Sequence, residues 1–163
     1  MTFARSSGFC SGKNRESDAT VNRKSVDVAL LLLRLLLAVV FVAHGGQKLL
    51  GWFGGPGVKG FVESMSSLGM PAVVAYLVII GEFFGGLGLA VGLLTRLAAA
   101  GVFIQMVGAV LMIHWKTGFF MNWESVGGKA EGFEYSLTLA VVSLAVLLAG
   151  AGAYSLDAKL KIG

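Results

Sequence analysis

Apolar positions run through the chain in four long blocks: residues 27–50, 72–94, 97–115 and 134–154. Each block is about as long as the ~20 residues that a helix needs to cross ~30 Å of hydrocarbon. Inside lipid every backbone amide must be satisfied within its own segment or in a closed barrel, and continuous apolar runs without strand-like alternation predict helices. The expected fold is therefore all-α: an integral membrane four-helix bundle.

The segments between the blocks differ in character. Residues 1–25 are polar, charged and aperiodic, which predicts an irregular tail. They do not read as a cleavable leader, because the basic region is long and the following apolar run exceeds a leader's core. Between the first two blocks, Val58, Phe61, Val62, Met65 and Leu68 form one face of a short amphipathic helix that ends at Gly69 and Pro71 and lies on the membrane surface. Trp52 and Phe53 before it suit the interfacial aromatic belt. Thr95–Arg96 leaves room only for a tight turn, so the second and third blocks form an antiparallel hairpin. The loop from Lys116 to Tyr135 is rich in aromatics and acids and long enough to cover helix ends. A membrane domain over 26–157 and a short tail over 158–163 complete the division.

Composition agrees with a membrane protein: of 163 residues, 56% are hydrophobic and 13% charged, with a mean hydropathy of +0.80. The net charge of +4 reports loop charges and not nucleic-acid binding, since no basic patch is interleaved with aromatics. Eight Lys/Arg lie on the side of the termini (Arg5, Lys13, Arg15, Arg23, Lys24, Arg96, Lys159, Lys161) and four on the other (Lys48, Lys59, Lys116, Lys129). Both termini of this multi-pass protein are accordingly expected in the cytoplasm. The single Cys10 excludes an internal disulfide and dithiol chemistry.

The candidate chemistry comes from the few polar residues inside the blocks. Glu82 sits mid-span, where a carboxylate needs a partner or a proton. Arg34 in the first block shares a helical stripe with Ala38, Phe41, Gly45 and Lys48, and an Arg34/Glu82 ion pair would neutralise both charges and fix helix register. The alternative is an Arg34 that snorkels and a protonated Glu82. Gly81, Gly85, Gly88 and Gly92 form a small stripe on the second block that admits a close neighbour. Gly101, Gln105, Gly108 and Met112 share a side of the third, with Gln105 expected to hydrogen-bond between helices. In the fourth, Glu134, Thr138, Ala145, Ala149 and Gly152 are expected to share a small, partly polar face. At one end the topology gathers His44, Lys48, His114, Glu131 and Glu134 as a mouth for a small amphipathic ligand such as a quinone head group, with His44, Lys48, His114 and Glu134 as candidate ligand-binding residues. The same residues would also mark the water boundary of ordinary helices. No metal site is expected, because His44, His114 and Glu134 lack a ligand spacing signature.

The chain resembles the DoxX family of small four-helix bacterial membrane proteins over about residues 28–155. The resemblance is carried by Arg34, the Gly45-Gly46-Gln47-Lys48-Leu49 end of the first block, Gly69-Met70-Pro71, Glu82-Phe83-Phe84-Gly85-Gly86, Gly92-Leu93-Leu94-Thr95-Arg96 and Glu134-Tyr135. It marks Arg34, Lys48, Glu82, Arg96 and Glu134 as family-like polar positions, without a catalytic motif. Relatives are associated with thiosulfate:quinone oxidoreductase and with a membrane complex containing superoxide dismutase and a sulfurtransferase. It thus implies a subunit of a membrane oxidoreductase assembly, quinone-facing or partner-anchoring and not catalytic alone.

No residue carries a flavin, haem or cluster signature, so a quinone or a partner would have to supply electrons. The partners implied are the bilayer, a soluble oxidoreductase or sulfurtransferase and further copies of the chain. Two other classes stay open: a small-solute or proton transporter, for which a mid-membrane Glu82 is the usual feature, and a non-enzymatic anchor or assembly factor.

Overall fold

The computed structural model describes residues 9–123, 127 and 131–162, with side chains from residue 21 onward. Residues 1–8, the Lys129 part of the loop and the Cys10 side chain lie outside the described set. Among the described residues there are helices and turns and no strand: α1 (Phe9–Leu50), α2 (Gly57–Ser67), α3 (Ala72–Val91), α4 (Thr95–Ala109), α5 (Glu134–Ala149) and the short α6 (Leu156–Leu160). Helix α4 continues through a wider π turn at Val110–His114.

Three stretches are long and apolar enough to cross a bilayer: Val21–Leu50, Ala72–Val91 and Thr95–Thr117. Helix α5 is apolar but shorter. It stops at Ala149 where Gly150 takes φ 88°, ahead of the Tyr154 expected as its end. Helix α1 begins at Phe9, well before the expected Asp27; residues 9–24 hold no proline, and a growing helix adds one hydrogen bond per residue at little further entropic cost. The turn between α3 and α4 is Gly92–Leu94, with Gly92 (φ 69°) and Leu94 (φ 49°) both left-handed, so Thr95 and Arg96 open α4 instead of forming the turn.

The four long helices close into a ring in which α1 packs on α3 and α5, and α4 packs on the same two. The core between them is built from Leu37, Ala38, Phe41, Leu89, Ala99, Val102, Leu139 and Val146. The stripe expected on α1 is the buried one, with Arg34, Ala38 and Phe41 all inside. Outward-facing Leu32, Leu36, Val39, Val141 and Leu148 remain exposed, as lipid contact requires.

The α1/α3 contact is close because it is made by glycine. A Cβ on Gly45 would come within 2.9 Å of Phe83 backbone and side-chain atoms, and one on Gly86 within 3.0 Å of Val42. The expected stripe thus divides among neighbours: Gly81 meets Gln105 of α4, Gly92 meets Arg34 and Ser155, and Gly85 has open space around its Cβ position, while Gly86, beside the stripe, meets α1. On α5 the buried face is Ser136, Leu139, Ala140, Ser143 and Val146, which leaves the expected Thr138, Ala145 and Ala149 exposed. The i, i+3, i+4, i+7 spacing runs through the serines and the larger apolar residues, and these bury more area than an alanine face.

Helix α2 lies across α1 and α3, with Phe61 buried against Ala75 and Ile79 and flanked by Leu49, Val58, Val62 and Met65. Leu68 is left exposed. Trp52 rests on Gly46 and meets the Phe83 ring edge-on at 5.9 Å.

Candidate functional site

The polar residues buried in the bundle separate into two groups at different heights, and the separation follows from helix register. The Gly45/Phe83 and Val42/Gly86 contacts place α1 and α3 antiparallel so that Arg34 lies level with Leu94. Glu82 is about twelve residues further along α3, roughly 18 Å at 1.5 Å per residue. The Arg34/Glu82 pair expected from the sequence therefore does not form. Centring the first span on residue 38 put Arg34 too close to the middle of α3.

Glu82 pairs instead with Lys48, whose Nζ lies 2.5 Å from both carboxylate oxygens. The side chains are 5% and 18% exposed, so the ion pair is shielded from water and its Coulomb energy is correspondingly large. The Phe61 ring lies beneath the Lys48 ammonium at 4.9 Å and adds a cation–π contact from α2.

Arg34 is fully buried and satisfied by main-chain carbonyls: Nε donates to Leu89 O at 3.1 Å, Nη2 to Tyr154 O at 3.0 Å and Nη1 to Ala151 O. Asp157 accepts from the amides of Leu94 and Thr95, each at 2.8 Å, and so caps the N-terminus of α4 from a distant part of the chain. Burial by itself would push the Asp157 carboxyl up. The Thr95 and Leu94 hydrogen bonds and the Arg34 charge outweigh it and hold the pKa below the ordinary aspartate value. Asp27 completes this end by accepting from the Ala153 amide at 2.9 Å. Beyond the burial of Arg34, none of this was legible in the sequence, where Asp157 stands among the ordinary charges near the C-terminus.

At the other height the Lys48–Glu82 pair borders a cavity of about 680 Å³ between α1, α2, α3, α4 and α5. Its walls are mostly aliphatic side chains, methionine and glycine, and His44, Gln105, His114, Tyr135 and Ser136 join the ion pair as its polar lining. The expected third-span side is confirmed, since Gly101, Gln105, Gly108 and Met112 all face this space. Added Cβ atoms at Gly101 and Gly108 would meet nothing within 4 Å, so these glycines leave room instead of permitting contact. Gln105 makes the expected interhelical bond, Nε2 to Val78 O at 3.3 Å, while its Oε1 is buried without a partner. Met112, Ile113 and His114 reach the cavity from the π turn, an element that often marks functional positions.

Of the four candidate ligand residues, His44, Lys48 and His114 line this cavity and Glu134 does not. Glu134 Oε1 accepts from the Met121 amide at 3.0 Å and the Trp123 indole at 2.8 Å, which ties the loop after α4 to the start of α5. Glu131 likewise accepts from Asn122 N, and its carbonyl receives Thr117 Oγ1. Around them Phe133 stacks on Trp115 and meets Phe119 edge-on. No group of three metal-ligating side chains occurs among the described residues.

The DoxX family model matches residues 29–115, the part that supplies the ion pair and most of the cavity wall. The chain belongs to the DoxX family. It is 30% identical over 76% of its length to a Bacillus subtilis protein named "Putative oxidoreductase CatD", covering 81% of that protein. It is 31% identical over 83% of its length to the Escherichia coli inner membrane protein YqjF (94% covered), and 29% identical over 80% to the inner membrane protein YphA of the same organism (89% covered). No solved structure matches. Like these relatives, this DoxX protein is a membrane protein, and its matched segment ends at Trp115, before α5 closes the ring.

Proposed function

We propose that this DoxX protein is a subunit of a membrane oxidoreductase assembly, not catalytic alone, whose interhelical cavity receives a quinone-type ring. The observation that carries the reading is the cavity: about 680 Å³ of mostly apolar lining that converges on Lys48–Glu82, Gln105 and two histidines. Volumes of 300–1,000 Å³ with a few placed polar groups are usual for sites of this kind. Lys48 and Tyr135 offer donors to a ring oxygen, and the methionines and valines around them suit its substituents. When bound, such a ring would supply the electron-carrying chemistry; the chain's part is to bind it, orient it and keep water away. The printed name of the Bacillus subtilis relative supports an oxidoreductase role.

The reading extends to topology. The apolar blocks suit four crossings in a domain over residues 26–157, and Arg96 at the start of α4, Lys159 and Lys161 favour both termini in the cytoplasm. A soluble oxidoreductase or sulfurtransferase is the partner such a subunit would anchor, and self-association is compatible with its lipid-facing helices.

The test is purification in mild detergent, followed by solvent extraction of bound quinone and binding of an added short-tailed benzoquinone. Roughly one ring per chain is expected, lost on filling the space with Gly101→Leu/Gly108→Leu in a protein that still unfolds cooperatively. Absence of bound quinone together with no binding of the added probe would overturn the reading. Proton flux into vesicles that Glu82→Gln abolishes would instead assign the buried acid to transport.

A further inference from the structure

We propose that the cavity opens sideways into the bilayer between α3 and α4, so that its ligand is lipid-resident: the ring sits at the Lys48–Glu82 end and a hydrocarbon tail leaves through this window. This rests on the quinone-type reading above and adds to it the route of entry and the tail.

The two helices leave their turn in contact and then part. A Cβ on Gly88, beside the turn, would lie 3.0 Å from Leu93 O and 3.8 Å from the Ala98 methyl. Further along, Cβ atoms on Gly85, Gly101 and Gly108 would meet nothing within 4 Å among the described residues. At Gly81 the gap is spanned by a side chain and not by facing backbone, since Gln105 lies over it and donates Nε2 to Val78 O at 3.3 Å. Apart from Glu82, which turns to Lys48, the cavity lining along this parting is apolar except for Gln105. With Nε2 spent and Oε1 buried, Gln105 props the helices and presents little polarity to the space.

The outer rim shows that the gap reaches lipid. Leu77, Ile104 and Met112 line the cavity and are nevertheless 62%, 68% and 67% exposed. Counted from the midpoints of their spans, Ala72–Val91 and Thr95–Thr117, Leu77 lies roughly 7 Å and Ile104 roughly 3 Å from the bilayer centre, well within the ~15 Å half-thickness of hydrocarbon. The other flanks differ. Gly45 and Gly86 close α1 against α3, α4 and α5 share the buried Ala99, Val102, Leu139 and Val146, and Phe61 and Met65 of α2 lie over the ion-pair end. His44 of α1 and Tyr135 of α5 are exposed as well, but both are polar, and they give the remaining flank a mouth suited to water or a head group.

The polar lining, His44, Lys48, Glu82, His114, Tyr135 and Ser136, is thus kept apart from an apolar exit at membrane depth. An opening at that depth is bathed in hydrocarbon, and an alkyl chain fills it at no cost in unsatisfied groups. Moving a tail from lipid to this groove gains little, since lipid is as apolar as the wall. The window therefore tolerates a tail of any length and does not drive binding, and blocking it must discriminate against tailed ligands alone.

The test uses the full chain in phosphatidylcholine nanodiscs and two benzoquinones with the same ring, one without a tail and one with a decyl tail carrying a terminal diazirine. Affinities are referred to the concentration in the membrane. The wild type is expected to bind both within about threefold, and Leu77→Trp/Ile104→Trp, two changes on a lipid-facing rim, should weaken the tailed ligand about tenfold or more while leaving the tail-less ring within about threefold. Illumination of the wild type should label Leu77, Ile104 or Met112, and excess tail-less ring should prevent it. Equal effects of the double variant on both ligands, or labels confined to α2 or the aromatic loop after α4, would overturn the window and leave the ring site standing. The same result follows if a diazirine-bearing phospholipid labels this rim and neither quinone displaces it, for then ordinary lipid fills the gap. If neither ring binds the wild type, the underlying reading fails as well.

Discussion

Each of the two buried cations is held by a different kind of acceptor, and the consequence differs accordingly. Arg34 spreads its charge over three main-chain carbonyls, whereas Lys48 relies on one carboxylate. Removing one partner of a buried ion pair leaves an uncompensated charge and typically costs about 3–5 kcal/mol, while removing both can be nearly neutral. Lys48→Leu should therefore lower the thermal unfolding midpoint in detergent sharply, and Lys48→Leu/Glu82→Leu should recover most of the loss. Arg34→Leu combined with Glu82→Leu should be no better than the sum of the two single changes, because the residues lie at different heights and share no partner. Rescue in that second double variant would contradict the register of α1 and α3.

At the scale of elements, the bundle depends on where glycine permits contact and where it leaves space. Gly45 and Gly86 let α1 and α3 approach until backbone meets backbone, whereas Gly85, one position from Gly86, faces nothing within 4 Å. Gly45→Ala must push the two helices apart, with a loss of packing along the whole interface. Gly85→Ala meets no obstacle and gains helix propensity of roughly 1 kcal/mol. Unfolding measurements on the two variants should move in opposite directions; a stabilised Gly45→Ala would mean that the helices are not in close contact there. Sequence spacing grouped Gly81, Gly85, Gly88 and Gly92 on one stripe, yet spacing alone cannot say which neighbour lies over each position. The same holds for α5, where the small-residue face faces outward and Ser136, Leu139, Ser143 and Val146 face inward.

For the whole molecule, the end opposite the cavity is the fastening point. Arg34 of α1 binds the end of α3 and the segment after α5, Asp157 caps α4, and Asp157 N donates to Gly92 O at 2.9 Å. Because the folded-state pKa of Asp157 is depressed, its stabilisation is fully present above the ordinary aspartate pKa of about 3.9 and is lost as pH falls through the lower folded value. Acidification below about pH 4 should therefore destabilise the wild type more than Asp157→Asn, so that their unfolding midpoints converge in acid. A gap between the two that stays constant from neutral pH into acid would remove the carboxylate from this role.

Hydropathy and its periodicity determined the class of the molecule: membrane-crossing helices, their approximate limits, the amphipathic α2, the buried stripe of α1 and the side of α4 carrying Gly101, Gln105, Gly108 and Met112. These are local properties, set by how one segment meets lipid or core, and a segment carries them wherever it is placed. Which charges meet was decided by tertiary structure alone. The partner of Glu82 depends on a sliding register between two antiparallel rods, which close glycine contacts fix at Gly45 and Gly86 and which places Lys48, not Arg34, within reach. Asp157 acquires its importance in the same way, from a chain reversal that returns the C-terminal turn to the start of α4. The cavity too exists only once five helices have closed around positions that, read singly, show nothing more than small or apolar residues.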